Sequence, residues 1–97
     1  MKFKKGVNLE GLDIRMRPVL IAAEKIWKKY KQGLVVTARG GLHSAGSLHY
    51  YGLALDFRNR DFTPKTKITV AEELQKVLGS SFQVISHSTH IHVEYDS

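Results

Sequence analysis

The chain has 97 residues, of which 42% are hydrophobic and 25% are charged, a balance typical of one soluble globular domain. It contains no cysteine, so disulfide bonds, thiolate zinc sites and a cysteine nucleophile are excluded. The formal net charge of +6 predicts attraction to an anionic partner such as a cell-wall polymer or a nucleic acid. Many of the lysines, however, follow the polar face of one predicted helix, which is the simpler explanation of such a run. We therefore expect residues 1–97 to form a single domain.

The N-terminal segment carries lysines early, but no apolar stretch follows them. The sequence therefore predicts neither a secretory signal peptide nor insertion into a membrane. We expect synthesis in the cytoplasm, with any work outside it depending on another route of export.

The first half of the chain predicts one helix and two strands. Apolar residues at helical spacing predict a helix from about Ile14 to Gln32, with Asp13 as its cap, Pro18 near its first turn and Gly33 as its end. Two short apolar segments predict strands. They cover residues 34–38 and 53–58, with a glycine-rich loop over 39–51 between them.

The second half predicts a helix followed by a hairpin. After a polar connection over 59–67, Thr69 is expected to cap a helix over 70–78, with Glu72 completing a capping box and Gly79 ending the helix. Strands are predicted over 82–85 and 90–95. The order α-β-β-α-β-β predicts an α+β domain with two helices packed on a mainly antiparallel sheet.

The five histidines lie in only two short segments, an arrangement that random scattering would rarely give. Imidazole is the commonest protein ligand for zinc, so the clustering indicates a metal site. His90 and His92 are two residues apart on a predicted strand and therefore point to the same face, with Glu94 continuing it. A plain surface strand is the alternative explanation of such a row, and Glu94 is also a candidate for orienting a metal ligand.

Two motifs resemble a known family. Residues 47–56 read SLHYYGLALD, which resembles the SxHxxGxAxD motif of the zinc peptidases that include the D-alanyl-D-alanine carboxypeptidases and L-alanyl-D-glutamate endopeptidases. Residues 90–92, HIH, resemble the C-terminal HxH of that family. Both motifs also resemble the hedgehog signalling domain, and the HxH with a histidine three residues before it resembles the lytic murein endopeptidases. The resemblance spans about residues 35–95 and implies a hedgehog-like or DD-peptidase-like fold.

The resemblance implies that His49, Asp56 and His92 bind Zn²⁺ and leave the fourth position to water. Two neutral imidazoles and one carboxylate suit this role, because they hold zinc while leaving the net positive charge that acidifies the water. The choice of His92 over His90 comes from the family alone.

The resemblance also assigns catalytic and substrate-binding residues. His90 becomes the general base and acid, and His87 stands near a position where many family members carry glutamate. Arg39 resembles an arginine that binds a substrate carboxylate or a developing oxyanion. Ser47 matches a serine that contacts substrate, and His43 is placed at the edge of the cleft. An ordinary loop arginine, a structural serine and an exposed turn histidine are the alternatives for Arg39, Ser47 and His87.

These assignments predict a hydrolase, a zinc metallopeptidase that degrades the cell wall by cutting a bond in peptidoglycan stem peptides or cross-bridges. It would act as a carboxypeptidase or an endopeptidase, in the manner of an endolysin of a phage or prophage. A non-catalytic zinc-containing binding module of the hedgehog type is the alternative. A basic nucleic-acid binder would leave the histidine clustering unexplained, so no nucleic-acid partner is expected. The bond cleaved and the oligomeric state are left open.

Overall fold

The computed structural model of the chain describes residues 1–7, 9–10, 12–40 and 53–96, without the side chain of Arg39. In these ranges two helices pack on one side of a five-stranded sheet with strand order β1-β2-β3-β5-β4. Three of the strand pairings are antiparallel and that of β1 with β2 is parallel, so the predicted α+β class is confirmed with a mixed sheet. The elements are β1 (Lys2–Phe3), a 3-10 helix (Ile14–Met16), α1 (Arg17–Lys29), β2 (Val35–Gly40), β3 (Ala54–Arg58), α2 (Pro64–Leu78), β4 (Phe82–Ser86) and β5 (His90–Tyr95).

The segment predicted as the start of the first helix folds as a 3-10 turn that leads into α1. The carboxylate of Asp13 accepts a hydrogen bond from the backbone N–H of Arg15 at 2.9 Å and caps this turn, as predicted. Hydrogen bonds from the side chain and backbone of Arg15 lower the pKa of Asp13 to about 2. Pro18 lies in the first turn of α1, where no N–H donor is needed.

The end of α1 differs from the prediction that Gly33 ends it. The helix ends at Lys29, and Lys31 adopts the left-handed conformation with φ of 61°. The N–H of Gln32 then donates to the carbonyl of Trp27 at 2.9 Å, which satisfies one of the last helical carbonyls. A lysine therefore takes the position that glycine usually holds.

Helix α2 begins at Pro64, so the prediction that it starts after a Thr69 cap is wrong. The Thr63 hydroxyl accepts a hydrogen bond from the N–H of Thr66 at 3.1 Å, and Pro64 occupies the first helical position. Thr69 lies inside the helix, where its hydroxyl donates to a carbonyl of the preceding turn at 3.2 Å. The predicted end at Gly79 is confirmed, with φ of 83°.

The core lies between the helices and one face of the sheet. Trp27 of α1 is at its centre, with ring centroids 5.8 Å from Phe57 and 5.5 Å from Phe62. Its indole N–H donates to the backbone carbonyl of Arg58 at 3.1 Å, so the buried ring also meets its polar requirement. None of the helices in the described ranges is both long and apolar enough to cross a membrane.

The side chains of β3 and β5 alternate strictly between the core and the opposite side of the sheet. Leu55 and Phe57 of β3 and Ile91 and Val93 of β5 are fully buried against the helices. The residues between them point to the opposite side, as the predicted alternation in β5 requires. We call that side the open face; from these two strands it presents Ala54, Asp56, Arg58, His90, His92 and Glu94.

Strand β2 reaches the open face through an irregularity. Val36 is in register with Phe57 and Ala38 with Asp56, so Thr37 is an extra residue between two consecutive pairs. Such a bulge bends the strand and redirects a side chain. Strand β1 was not predicted from the sequence, because two residues carry too little pattern to indicate a strand.

Candidate metal and active site

Asp56 and His92 are directly opposite each other on β3 and β5. Asp56 Oδ1 and His92 Nδ1 are 2.6 Å apart, and both side chains are mostly buried, with 21% and 24% of their surface exposed. The hydrogen bond with Asp56, aided by the charges of Asp56 and Glu94, raises the pKa of His92 above its ordinary value of 6.5, and burial opposes this shift. The pair thus joins a carboxylate and an imidazole in one partly enclosed site.

Glu94 engages the other nitrogen of His92. Its Oε1 is 3.1 Å from His92 Nε2, so the imidazole lies between two carboxylates. A histidine that binds a metal through one nitrogen almost always donates its other N–H to a carboxylate, a carbonyl or water. Glu94 therefore has the position of a group that fixes the ring of a ligating His92.

The donor chemistry of Asp56 and His92 fits zinc. A carboxylate oxygen and an imidazole nitrogen are both ordinary zinc ligands, and two donors of one tetrahedral ion lie about 3.3 Å apart. The observed distance of 2.6 Å between Asp56 Oδ1 and His92 Nδ1 is that of a hydrogen bond. A bound metal would take the place of this bond, and the two atoms would need to move apart by less than about 1 Å. Within the part of the chain that the structure describes, no group of three candidate ligands meets. The third predicted ligand, His49, lies outside the described residues.

His90 is beside this pair on the open face. Its Nε2 is 3.9 Å from Asp56 Oδ2, and its side chain is 33% exposed. The hydroxyl of Thr89 is 3.1 Å from His90 Nδ1, and the ring of His87 stacks on that of His90 with centroids 4.6 Å apart. The structure therefore places His87 and His90 as a stacked pair next to the Asp56–His92 contact.

Asn59 holds the turn between β4 and β5, which carries His87. Its side-chain N–H donates to the backbone carbonyl of His87 at 2.9 Å, and its backbone N–H donates to the backbone carbonyl of Thr89 at 3.4 Å. Asn59 is only 1% exposed, and its Oδ1 has no hydrogen-bond partner among the described residues. Sequence reasoning missed this residue, because a single asparagine after a strand has the appearance of an ordinary turn residue.

The remaining predicted residues give less structural information. Arg39 is on β2 in register with Leu55, and its side chain lies outside the described part of the chain. His43 and Ser47 also lie outside the described residues.

A pocket of about 320 Å³ opens beside Asp56 and His90. Sequence reasoning missed the basic residues that line it, although Arg58 is two residues after Asp56 on a predicted strand and so shares its face. The residues around the pocket are Lys4, Thr37, Asp56, Arg58, Arg60, Thr89 and His90.

Comparison with known proteins adds no relative to this picture. No family model matches the chain, and no curated protein and no solved structure matches it either.

Proposed function

We propose that the chain is a zinc-dependent peptidase that hydrolyses a peptide bond in bacterial peptidoglycan. The observation that carries this proposal is the contact between Asp56 and His92 on neighbouring strands, with His90 beside them on the open face. These three residues belong to the two motifs on which the family resemblance rests. Their grouping in space supports the resemblance, because Asp56 and His92 are 36 residues apart in the chain.

Asp56 and His92 would hold the metal, together with His49 as the resemblance implies. When bound, Zn²⁺ would polarise the scissile carbonyl and acidify a water molecule at its free position. Glu94, at 3.1 Å from His92 Nε2, fixes the ring so that Nδ1 faces Asp56.

His90 is the group that moves protons. Its imidazole is partly exposed, and therefore accessible to a substrate on the open face, while Asp56 Oδ2 is 3.9 Å away. In the proposed reaction His90 accepts a proton from the attacking water while the water oxygen bonds to the carbonyl carbon. The C–N bond then breaks, and His90 returns the proton to the leaving amine nitrogen.

His87 is a positioning residue in this scheme. Its ring stacks on His90 at 4.6 Å, and its backbone is anchored by Asn59, so it limits the rotation of His90. Arg39 is assigned to the substrate by the resemblance, where its guanidinium would hold a carboxylate or a developing oxyanion.

The test is digestion of purified peptidoglycan, followed by mass spectrometry of the muropeptides. The zinc-loaded protein is expected to release peptide fragments whose masses identify the bond, and a chelator is expected to stop the release until zinc is restored. His90→Ala should lower the rate by about 10²-fold or more while zinc binding is kept. Lys28→Ala, at an exposed position on α1, is the control that should leave the rate unchanged.

A non-catalytic zinc module of the hedgehog type predicts a different result. Zinc would then be bound at one equivalent, measured by elemental analysis, and no muropeptide would change mass in any wall preparation. That combination would overturn the peptidase proposal while leaving the metal site in place.

A further inference from the structure

The pocket beside Asp56 and His90 has a strongly positive lining. Lys4 follows β1, Arg58 ends β3 and Arg60 lies in the turn after it, so two separate backbone segments bring three cations to one cavity. Asp56 is the only carboxylate around it among the described residues. Arg58 is in register with His90, which places the two residues directly opposite each other on the open face.

Among the described residues, these three cations have no carboxylate within ion-pair distance. None of the ion pairs in the described ranges involves Lys4, Arg58 or Arg60. The residues outside those ranges include no aspartate or glutamate, so no acidic side chain is left to pair with them. Arg58 is half-buried, so an anion in the pocket would meet a cation that is only partly open to water.

The volume and the basic lining of the cavity favour a small anionic group. Its volume of about 320 Å³ is near the lower limit for sites that hold small molecules. Arginine guanidinium groups pair with carboxylates through two parallel hydrogen bonds, which gives orientation as well as affinity. A nucleic acid would instead need an extended basic surface and aromatic platforms for its bases, and no Phe, Tyr or Trp of the described residues lines this pocket.

We infer that Lys4, Arg58 and Arg60 form a subsite for a carboxylate group of a peptide substrate, distinct from the role assigned to Arg39. The inference rests on the proposed function, since the subsite would fix an acidic stem peptide with its scissile bond next to His90. It deepens that proposal by naming the substrate class, which is a peptide with a free carboxylate near the bond that is cut.

The experiment compares two synthetic stem peptides on the zinc-loaded full chain. One is L-Ala-γ-D-Glu-L-Lys-D-Ala-D-Ala with free carboxylates, and the other carries carboxamides at the glutamate α-carboxyl and at the C-terminus. The readout is Kd by calorimetry for a peptide that stays intact, and kcat/KM for a peptide that is cleaved. Two singly amidated analogues identify which carboxylate is bound.

The carboxylate peptide is expected to be favoured by about tenfold or more, the effect of a charge-assisted hydrogen bond. Arg58→Gln and Arg60→Gln should each reduce this preference. Arg60→Gln and Lys4→Gln change exposed side chains, so these two variants keep the test valid if Arg58→Gln fails to fold. Arg17→Gln removes the same charge at an exposed position that does not line the pocket and should keep the preference.

Several results would overturn the inference. They are equal treatment of the two peptides, no binding of either at millimolar concentration, and a preference that survives in both arginine variants. A single-stranded DNA oligonucleotide that binds more tightly than the peptide and loses affinity in those variants would also overturn it. Cleavage without a preference rejects the subsite but keeps the peptidase. A preference together with no cleavage of any wall preparation rejects the peptidase but keeps the subsite.

Discussion

Asp56 and His92 are joined across β3 and β5 by a 2.6 Å contact between Oδ1 and Nδ1, although the chain between them includes the whole of α2 and β4. The contact exists because both residues occupy open-face positions of an antiparallel pair whose other face is the core. Folding of the sheet therefore brings the two proposed metal ligands together. The first two predictions follow from this link between folding and metal binding.

Zinc should stabilise the protein, and Asp56→Asn should remove most of this effect. Ligand at 100 times its Kd adds about 2.7 kcal/mol to the free energy of unfolding, because it binds only the folded state. The asparagine keeps the volume of the side chain but loses the charge that attracts the metal. Thermal unfolding with and without zinc measures the effect. Asp61→Asn, an exposed neighbour, is the control and should respond to zinc as the wild type does.

Glu94→Gln should weaken zinc binding by about 10-fold to 100-fold, the usual cost of losing a carboxylate that orients a ligating histidine. The amide keeps the shape but no longer accepts a charge-assisted hydrogen bond from His92 Nε2. Competition with a chelating dye measures the affinity. An unchanged affinity would show that Glu94 does not orient His92, and Glu72→Gln on α2 controls for the loss of one negative charge.

In the metal-free protein, His92 should titrate above its ordinary pKa of 6.5, because Asp56 and Glu94 favour the charged imidazole. A raised pKa in the folded state means that the stabilisation is fully present below the unfolded pKa and is lost as pH rises through the folded pKa. NMR titration of the imidazole protons measures this shift. Asp56→Asn should bring the pKa of His92 down, and a value at or below 6.5 in the wild type would contradict the expected direction.

Thr63→Ala should lower the free energy of unfolding by about 1 kcal/mol, because the first turn of α2 loses its cap. Thr69→Ala is the matched control. Its hydroxyl bonds only to a carbonyl inside the helix, and alanine has the higher helix propensity, so a change of less than about 0.5 kcal/mol is expected. Urea unfolding of both variants measures the difference, and the reverse order would restore Thr69 as the cap.

Asn59→Ala should cost about 1 kcal/mol, because the buried Asn59 side chain loses its hydrogen bond to the carbonyl of His87. The same change should loosen the stacking of His87 on His90, so the NMR signals of both imidazoles should move. Gln83→Ala, at an exposed position of β4, is expected to change neither the stability nor those signals. Loss of stability without any movement of the imidazole signals would limit Asn59 to a structural role.

The sequence predicts the elements whose patterns are local and long enough to read. Helix α1 was located by its apolar spacing, and the alternation in β5 correctly separated His90 and His92 from Ile91 and Val93. The start of α2 was misplaced because Thr69 and Glu72 resemble a capping box, while the actual cap, Thr63, is followed by a proline. Proline suits both a loop and a first helical turn, so its presence did not decide between them.

Only the residues that belong to a recognisable sequence motif could be predicted for the candidate site. The two motifs indicated Asp56, His90 and His92, and the structure brings these residues together. Lys4 and Asn59 were missed because their place in the fold depends on the pairing of β1 with β2 and on the β4–β5 turn. Such long-range placements leave no periodic signal in the sequence.

The alternation along β3 and β5 limits how this protein can vary. Substitutions on the open face change the chemistry without reaching the core, because the buried neighbours keep their packing. Deletion of one residue inside β5 would exchange the two faces beyond it and direct Glu94 toward the helices. Beyond the bulge at Thr37 of β2, changes in length are therefore expected in the turns, and β3 and β5 are expected to diverge by substitution.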